Sequence, residues 1–225
     1  MNLIKCVDFF DPTTITEEIH ISGCGAVGST LAEMLTRMGC TNIHLYDFDI
    51  VTDHNLANQM FRDKDIGETK CAALENILKD INPSINLTLH PEGYVKNKTK
   101  LSGYVFLAVD NIELRADICN ENLSNMTIKA VFDFRMGLAD GQHYAANWSD
   151  STAKTKLLNS MDFTTKEAEE NAPKNACGTK LNIISTVRAI VSFGITNFLT
   201  FHKSYGTQYK STIVLNVLDD TLITF

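Results

Sequence analysis

Short apolar runs alternate with longer amphipathic segments along most of the chain. Runs rich in β-branched and aromatic residues, bounded by turn residues, predict strands at 18–22, 42–47, 86–90, 104–109, 128–134 and 141–148. Segments whose apolar residues recur with helical spacing predict helices at 28–38, 68–80, 111–124, 149–160 and 181–202. Alternating strands and helices favour a parallel sheet with helices on both faces.

The C-terminal end of the sequence departs from this alternation. Residues 211–225 form two short apolar runs around Asp219 and Asp220, which predicts a hairpin. We therefore expect an α/β fold: a Rossmann-like doubly wound sheet, parallel in its N-terminal part and with antiparallel C-terminal strands. A length of 225 residues fits a single domain over 1–225.

Two segments before this hairpin carry separate expectations. The stretch 161–180 is polar and contains Pro173, and it is interpreted either as a crossover loop over a site or as a solvent-exposed linker. The helix at 181–202 is apolar, but Arg188 and Asn197 interrupt it, and it lacks the run of about 18 apolar residues typical of a membrane span. We expect a buried helix, with a dimer interface as one possible use, and no membrane partner.

Composition limits the classes of partner. The formal net charge is −7, the isoelectric point is near 5.3 and no basic cluster occurs, which disfavours nucleic acid. No C-x-x-C pair is present, so no zinc site of the paired-cysteine type is expected. The N-terminal segment shows no signal-peptide pattern, and a reducing, cytoplasmic location with free thiols is the expectation.

Several cysteines and histidines are interpreted as ordinary packing or polar residues. The cysteines expected in packed positions are Cys24, Cys40, Cys71 and Cys119. The histidines that show no ligand spacing with one another are His44, His54, His90, His143 and His202.

A glycine-rich turn follows the first predicted strand. Gly23, Gly25 and Gly28 form a G-x-G-x-x-G pattern between that strand and a helix. Backbone N–H groups at a helix start lack partners within the helix, and they favour a bound phosphate. Glycines permit the sharp turn and the close approach of phosphate to the backbone. The turn alone is compatible with either ATP or a nicotinamide dinucleotide.

Polar residues beyond this turn favour ATP. Asp47 ends the second strand, where an acidic residue commonly binds ribose, and this position suits both nucleotides. The polar residues that follow it at fixed spacing are Asp49, Asn55, Gln59, Lys70 and Asp110. Together they indicate a protein in which ATP reacts with a carboxylate. Taken singly, each has a plainer interpretation, with Lys70 as a surface lysine and Asp110 as a helix N-cap.

Four short motifs occur in order within one stretch of the sequence. They are DFDIV at 47–51, NLANQ at 55–59, IGETK at 66–70 and INP at 81–83. With LAVDN at 107–111 and FDFRMG at 132–137, this stretch resembles the ThiF/MoeB/HesA superfamily, the ubiquitin-activating-enzyme-like adenylyltransferases. The resemblance extends over most of 15–205.

The resemblance implies a set of roles and a reaction. Its implied cofactors are ATP and Mg²⁺, and the implied reaction adenylates the C-terminal carboxylate of a small ubiquitin-like or sulfur-carrier protein, or of a peptide, with release of pyrophosphate. Relatives commonly form homodimers. The implied nucleotide-binding residues are Gly23, Gly25, Gly28, Asp47, Asp49, Asn55, Gln59 and Lys70, with Lys70 and Asp110 catalytic and Asp110 on Mg²⁺.

Two further residues receive roles by the same resemblance. Cys177 precedes the long apolar helix, where some relatives carry a cysteine that accepts the activated carboxylate as a thioester. Its plainer interpretation is a small residue at a loop–helix junction. Arg135 lies in the FDFRMG segment and is expected to position the acceptor tail.

The sequence also departs from the family pattern. Asn58 stands where relatives usually carry a phosphate-binding arginine, and no arginine occurs before Arg37. Arg62 and Arg135 are the candidates to replace it. The alternative to an enzyme is therefore a catalytically weak or inactive nucleotide-binding partner protein that retains the fold. A nicotinamide-dependent oxidoreductase is a third and weaker interpretation.

Overall fold

The computed structural model describes residues 1–5, 7–170, 172–173 and 183–225. Its strands are β1 (Ile19–Ser22), β2 (Asn42–Tyr46), β3 (Asn86–His90), β4 (Gly103–Leu107), β5 (Ile128–Met136), β6 (Asp140–Asn147), β7 (Thr212–Asn216) and β8 (Thr221–Thr224). Its helices are α1 (Ala26–Arg37), α2 (Lys70–Ile81), α3 (Ile112–Glu121), α4 (Ser151–Asn159), α5 (Thr165–Glu170) and α6 (Ile184–Lys203).

All eight strands belong to one sheet, in the order β3-β2-β1-β4-β5-β6-β7-β8. The pairs from β3 to β5 are parallel, and the pairs from β5 to β8 are antiparallel. The prediction of a parallel N-terminal part and antiparallel C-terminal strands is confirmed, and the predicted C-terminal hairpin is β7–β8.

Helices cover both faces of the sheet. On one face α1, α2 and α6 pack on the sheet and contribute the buried side chains Leu31, Leu74 and Phe198, respectively. On the other face α3 and α4 enclose a second cluster that contains Ile118, Trp148 and Leu157. The parallel strands are buried on both faces where helices cover them, which explains their continuous apolar runs.

The apolar helix predicted near the C-terminus is α6. Among the described residues it alone is long and apolar enough to cross a membrane by length and composition, a test that the core helix of a soluble protein also passes. Val187, Ile190 and Val191 are fully buried inside the protein, as expected for a buried helix. Its use at a dimer interface stays a prediction.

The assignment of 161–180 as a loop throughout was wrong at α5. Thr164 and Glu167 form a capping box, in which the Glu167 carboxylate accepts the Thr164 N–H at 2.7 Å and the Thr164 hydroxyl accepts the Glu167 N–H at 3.2 Å. The Thr165 hydroxyl also accepts the N–H of Ile112, which ties α5 to the start of α3. A short helix therefore lies inside the predicted crossover segment.

Candidate active site

A cavity of about 500 Å³ opens at the carboxyl ends of β1, β2 and β4. Open α/β sheets bind ligands in this location, because the strand order reverses there and the loops diverge. Phe163 and Ala168, from the segment around α5, line its outer side. The predicted site residues that line the cavity are Gly23, Gly25, Asp47, Asp49, Gln59, Lys70, Asp110 and Arg135.

Glycine is suited to each of the three positions for a different steric reason. Gly23 has a positive φ of 94°, and a Cβ there would lie 2.8 Å from the backbone of Ala108. A Cβ on Gly28 would lie 1.7 Å from the carbonyl oxygen of Gly23, so Gly28 permits the packing of α1 on the turn and does not itself line the cavity. A Cβ on Gly25 would meet no atom within 4 Å.

Gly25 therefore faces open space at the start of α1. It is the N-cap of that helix, and no side chain caps the first turn. The free N–H groups and the positive end of the helix dipole point toward the cavity. This arrangement fits a phosphate group, which would occupy the space that a side chain at Gly25 would fill.

Asp47 is held rigidly at the end of β2. One carboxylate oxygen accepts the Cys24 N–H at 2.6 Å, and the other accepts the Asp49 N–H at 2.9 Å. The carboxylate thus joins the glycine turn to the second strand. Its position in the cavity wall fits the predicted contact with ribose hydroxyls, which stays a prediction.

Lys70 is a buried cation in the cavity wall. Its Nζ lies 2.6 Å from Oδ2 of Asp49, and its side chain is only 9% exposed. The backbone brings the two residues together, because Lys70 N–H donates to the Asp49 carbonyl and Ile50 forms an antiparallel bridge with Thr69. The interpretation of Lys70 as a surface lysine is wrong.

The segment after Thr52 divides into two parts. Asn55 does not line the cavity, and its side-chain oxygen accepts the Thr52 N–H at 2.9 Å to close a 3₁₀ turn. Asn58 and Gln59 do line it, and each has a buried side-chain oxygen that finds no hydrogen-bond partner among the described residues. Such groups are costly unless a ligand or water satisfies them. The structure thus gives Asn55 a local capping role.

Asp110 lies at the mouth of the cavity and is exposed. Asn111, not Asp110, is the N-cap of α3, since its side-chain oxygen accepts the Leu114 N–H at 2.6 Å. The alternative of Asp110 as the helix cap is therefore wrong. Within the described residues its carboxylate has no ion-pair partner, which suits a ligand for a hard cation such as Mg²⁺.

A buried ionic triad joins the cavity to the antiparallel strands. Asp133 is fully buried and accepts from Arg115 through one oxygen and from Nε of Arg135, at 2.6 Å, through the other. Arg115 also donates to the carbonyls of Leu107 and Val109, at the end of β4. Sequence reasoning missed Arg115, because nothing local to the α3 segment indicates a partner on β5.

Arg135 is fixed by this triad and by its neighbours. Its guanidinium donates to the carbonyl and hydroxyl oxygens of Ser160 at 2.5 and 2.8 Å, and it lies over the ring of Tyr144 at 4.4 Å. Arg62, the other candidate to replace the family arginine, does not line the cavity. It pairs instead with Asp65 at 2.9 Å and with Asp80 at 3.2 Å.

The cysteine and histidine expectations have mixed outcomes. Cys24, Cys40, Cys71 and Cys119 are buried, as predicted, and burial raises the pKa of Cys40 to about 12. Cys177 lies outside the described residues. His44 and His90 show no ligand spacing in the sequence, but the fold stacks their rings with centroids 5.6 Å apart.

These features define an α/β nucleotide-binding protein. The cavity offers an open helix N-terminus, a buried lysine, a rigidly held carboxylate and an exposed carboxylate. A family model described as the ThiF family matches residues 15–217. The chain therefore belongs to the ThiF family, whose members are E1-like adenylating proteins.

Curated relatives match less than half of the chain. "Ubiquitin-like modifier-activating enzyme 5" of Oryza sativa subsp. japonica is 42% identical over 86 residues, 38% of this chain and 20% of that protein. The protein of the same name from Xenopus laevis is 32% identical over 126 residues, 47% of this chain and 32% of that protein. The chain thus spans a fifth to a third of the length of these relatives.

Solved structures match nearly the whole chain. E. coli MccB has a TM-score of 0.74 at 13% identity, over 95% of this chain and 63% of that chain. A structure titled MccB with ATP gives 0.73 at 14% identity, over 95% and 65%. PaaA gives 0.70 at 14% identity, over 96% and 65%. At these identities the likeness shows the fold alone.

Proposed function

We propose that this protein uses Mg·ATP to adenylate a carboxylate, namely the C-terminal carboxylate of a small ubiquitin-like or sulfur-carrier protein or of a peptide. The observation that carries the proposal is the buried Lys70–Asp49 pair, which lies in the same cavity as the open start of α1 and the exposed Asp110. A fixed cation, free N–H donors and a carboxylate for a metal ion are what the triphosphate of ATP requires.

Each residue of the cavity then has a task. The glycine turn and Lys70 bind and orient the phosphates, and Asp47 holds the ribose. Mg²⁺, held by Asp110, would neutralise phosphate charge when it is bound. The oxygen of the acceptor carboxylate forms a bond to the α-phosphorus, and the bond to the pyrophosphate leaving group breaks. No general base is needed, because a carboxylate is already ionised at neutral pH.

The acceptor tail would enter beside Arg135. This guanidinium lines the cavity on the side of β5 and β6, and its contacts with Asp133, Ser160 and Tyr144 leave it little rotational freedom. A fixed cation there can attract an anionic C-terminus and hold it near the α-phosphate. One MccB structure is titled with AMPCPP and MccA, and that family neighbour is consistent with a peptide acceptor.

The later fate of the adenylate is a separate step. Transfer to the Cys177 thiolate would form a thioester and release AMP, whereas an external nucleophile would make this residue dispensable. A Cys177→Ser variant that retains pyrophosphate exchange but forms no adduct cleavable by thiol would support the thioester. An adduct that thiols still cleave in the Cys177→Ser variant would exclude Cys177 as its site.

The test of the first step is ATP–pyrophosphate exchange with a panel of Gly-Gly-ending carrier proteins and peptides. We expect exchange that depends on one acceptor and on Mg²⁺. Lys70→Ala and Asp110→Ala should lower it at least tenfold, since a lost charge-assisted contact costs about 1.5–3 kcal/mol. Lys79→Ala, an exposed lysine on the same helix, and Asp8→Ala serve as matched controls and should exchange normally.

A nucleotide-binding partner protein without turnover is the second candidate. Asn58 lines the cavity in place of the family arginine, and Arg62 is engaged elsewhere. Tight ATP binding without exchange for any member of the panel would favour this candidate over the enzyme.

A further inference from the structure

Four ionisable side chains meet on the sheet away from the nucleotide cavity. Glu18 precedes β1, His20 lies on β1, His44 on β2 and His90 at the end of β3. None of them lines the nucleotide cavity. The adenylation chemistry proposed above uses none of these groups, so the cluster needs its own explanation.

Strand register brings the histidines together. β1 and β2 are parallel and pair His20 with His44, so both side chains project from the same face of the sheet. The two rings stack with centroids 4.4 Å apart. Glu18 lies two residues before His20 and therefore shares this face. The two histidines are 24 positions apart in the sequence, so a search for short ligand spacings does not find this proximity.

Three ligand atoms converge at one point. The Glu18 carboxylate lies 3.3 Å from Nε2 of His20 through one oxygen and 3.7 Å from Nε2 of His44 through the other. All three ligand groups lie within 4.8 Å of one another. Tetrahedral zinc with bonds of about 2.0–2.1 Å requires ligand atoms roughly 3.3 Å apart, so small side-chain movements suffice.

The Nδ1 atom of each imidazole, which points away from Glu18, already has a hydrogen-bond partner. Nδ1 of His20 lies 2.9 Å from the Tyr46 hydroxyl, and Nδ1 of His44 lies 3.3 Å from Nε2 of His90. Metal-binding histidines typically have such partners on the nitrogen that does not bind the metal, because these contacts fix the ring and its tautomer. Both Nε2 atoms lie next to Glu18, and a metal ion on His20 would replace the hydrogen bond that its Nε2 accepts from Ser102.

Ser102 contacts two of the three ligand groups. Its hydroxyl donates to the Glu18 carboxylate and helps to hold it in place. Its N–H donates to Nε2 of His20 at 3.3 Å, so this nitrogen is an acceptor and has the lone pair that a metal ion requires.

We propose that Glu18, His20 and His44 form a binding site for a divalent transition-metal ion of the Zn²⁺ type. Two imidazole nitrogens and one carboxylate are the borderline ligand set that zinc takes, with water as the fourth ligand. His20 is almost fully buried, whereas the Glu18 side chain is 42% exposed and gives the ion a path from solvent. The expected absence of zinc rested on missing cysteine pairs, which this ligand set does not use.

The test is Zn²⁺ binding to tag-free, chelator-treated full chain, measured by competition with a chromogenic chelator. Excess Mg²⁺ is present to occupy oxygen-only sites, and no nucleotide is added. We expect one Zn²⁺ per chain, with affinity at least tenfold lower in Glu18→Gln/His44→Gln. His54→Gln is the matched control, because this exposed histidine contacts its neighbours Thr52 and Asp53 and does not belong to the cluster.

A second measurement needs no variant at the site. Imidazole ¹⁵N–¹H correlation spectra of the wild-type protein should show Zn²⁺-dependent shifts of His20 and His44, with those of His54 unchanged. Wild-type affinity equal to that of the double variant, or shifts that spare His20 and His44, would overturn the proposal. The outcome is independent of pyrophosphate exchange, so it does not depend on the adenylation proposal.

Discussion

Some polar groups near the parallel half of the sheet lack hydrogen-bond partners among the described residues, whereas buried charged groups near the antiparallel half are paired. Around the parallel half, the loops leave groups unsatisfied: Gly25 faces open space, and the amide oxygens of Asn58 and Gln59 are buried with no partner in the described part of the chain. Where the antiparallel half begins, Asp133 is buried on β5 with both oxygens paired, and Arg135 is held by three acceptors. The first half is arranged to receive a ligand, whereas the second is a rigid ionic support.

Substitutions in the two halves should therefore have different effects, on ligand binding in one and on folding stability in the other. Unsatisfied groups destabilise the free protein and are stabilised by what binds to them, so changing them should affect binding more than folding. A buried triad is already complete, so breaking it should affect folding first.

Asp133→Asn should produce the largest loss of stability. It leaves the buried guanidinium groups of Arg115 and Arg135 without their shared counter-ion, and breaking a buried pair costs about 3–5 kcal/mol. Urea unfolding followed by circular dichroism measures the loss. Glu75→Gln, which removes the half-buried partner of the exposed Lys79, should change stability by less than about 1 kcal/mol. Equal effects of the two variants would refute the view of the triad as a support.

Two glycines of the same turn should separate folding from binding. Gly28→Ala places a Cβ against the Gly23 carbonyl, and such overpacking costs about 1–3 kcal/mol of stability. Gly25→Ala meets no protein atom, so its unfolding midpoint should match that of the wild type while its affinity for ATP falls. Thermal unfolding and calorimetric titration distinguish the two, and equal destabilisation by both would contradict the assignment of Gly25 to the ligand.

Asn58→Arg should strengthen nucleotide binding. The residue lines the cavity, and an arginine there would restore a charge-assisted contact worth about 1.5 kcal/mol, roughly a tenfold gain in affinity for ATP. Asn58→Gln adds length without charge and is the control. If the arginine variant binds ATP no better than the glutamine variant, the cavity already supplies the missing charge from another group.

His143 should make stability depend on pH. Burial lowers its pKa to about 4, whereas the unfolded chain binds this proton near pH 6.5. Protons therefore favour the unfolded state, and stability should fall as the pH decreases from 6.5 toward 4, by on the order of 1 kcal/mol per pH unit. The slope should be smaller in His143→Gln and unchanged in His54→Gln. An identical slope in all three proteins would exclude His143 as its source.

The sequence predicts the ligand-receiving half better than the supporting half. Gly23, Asp47 and Lys70 lie in short motifs whose spacing carries their chemistry, and each lines the cavity. The Arg115–Asp133 pair joins a helix to a strand 18 residues further on, and only the tertiary fold brings the two together. Secondary structure was predictable except at α5, where the TTKE capping signal lay inside a polar stretch.

The histidine cluster shows the same limitation. His20 and His44 meet only because β1 and β2 pair in one particular register, and a shift of one residue would place them on opposite faces of the sheet. Alternation along each strand predicts which residues share a face, but it does not determine which residues of two strands stand opposite each other.

The central claim is that the cavity beside Gly25 and Lys70 binds Mg·ATP. Calorimetric titration of the wild type and Lys70→Ala with ATP and with NAD⁺, each with and without Mg²⁺, tests it most directly. We predict saturable, Mg²⁺-strengthened binding of ATP to the wild type, at least tenfold weaker binding to Lys70→Ala, and no binding of NAD⁺. Binding of NAD⁺ as tight as that of ATP, or ATP binding unaffected by Lys70→Ala, would contradict the claim.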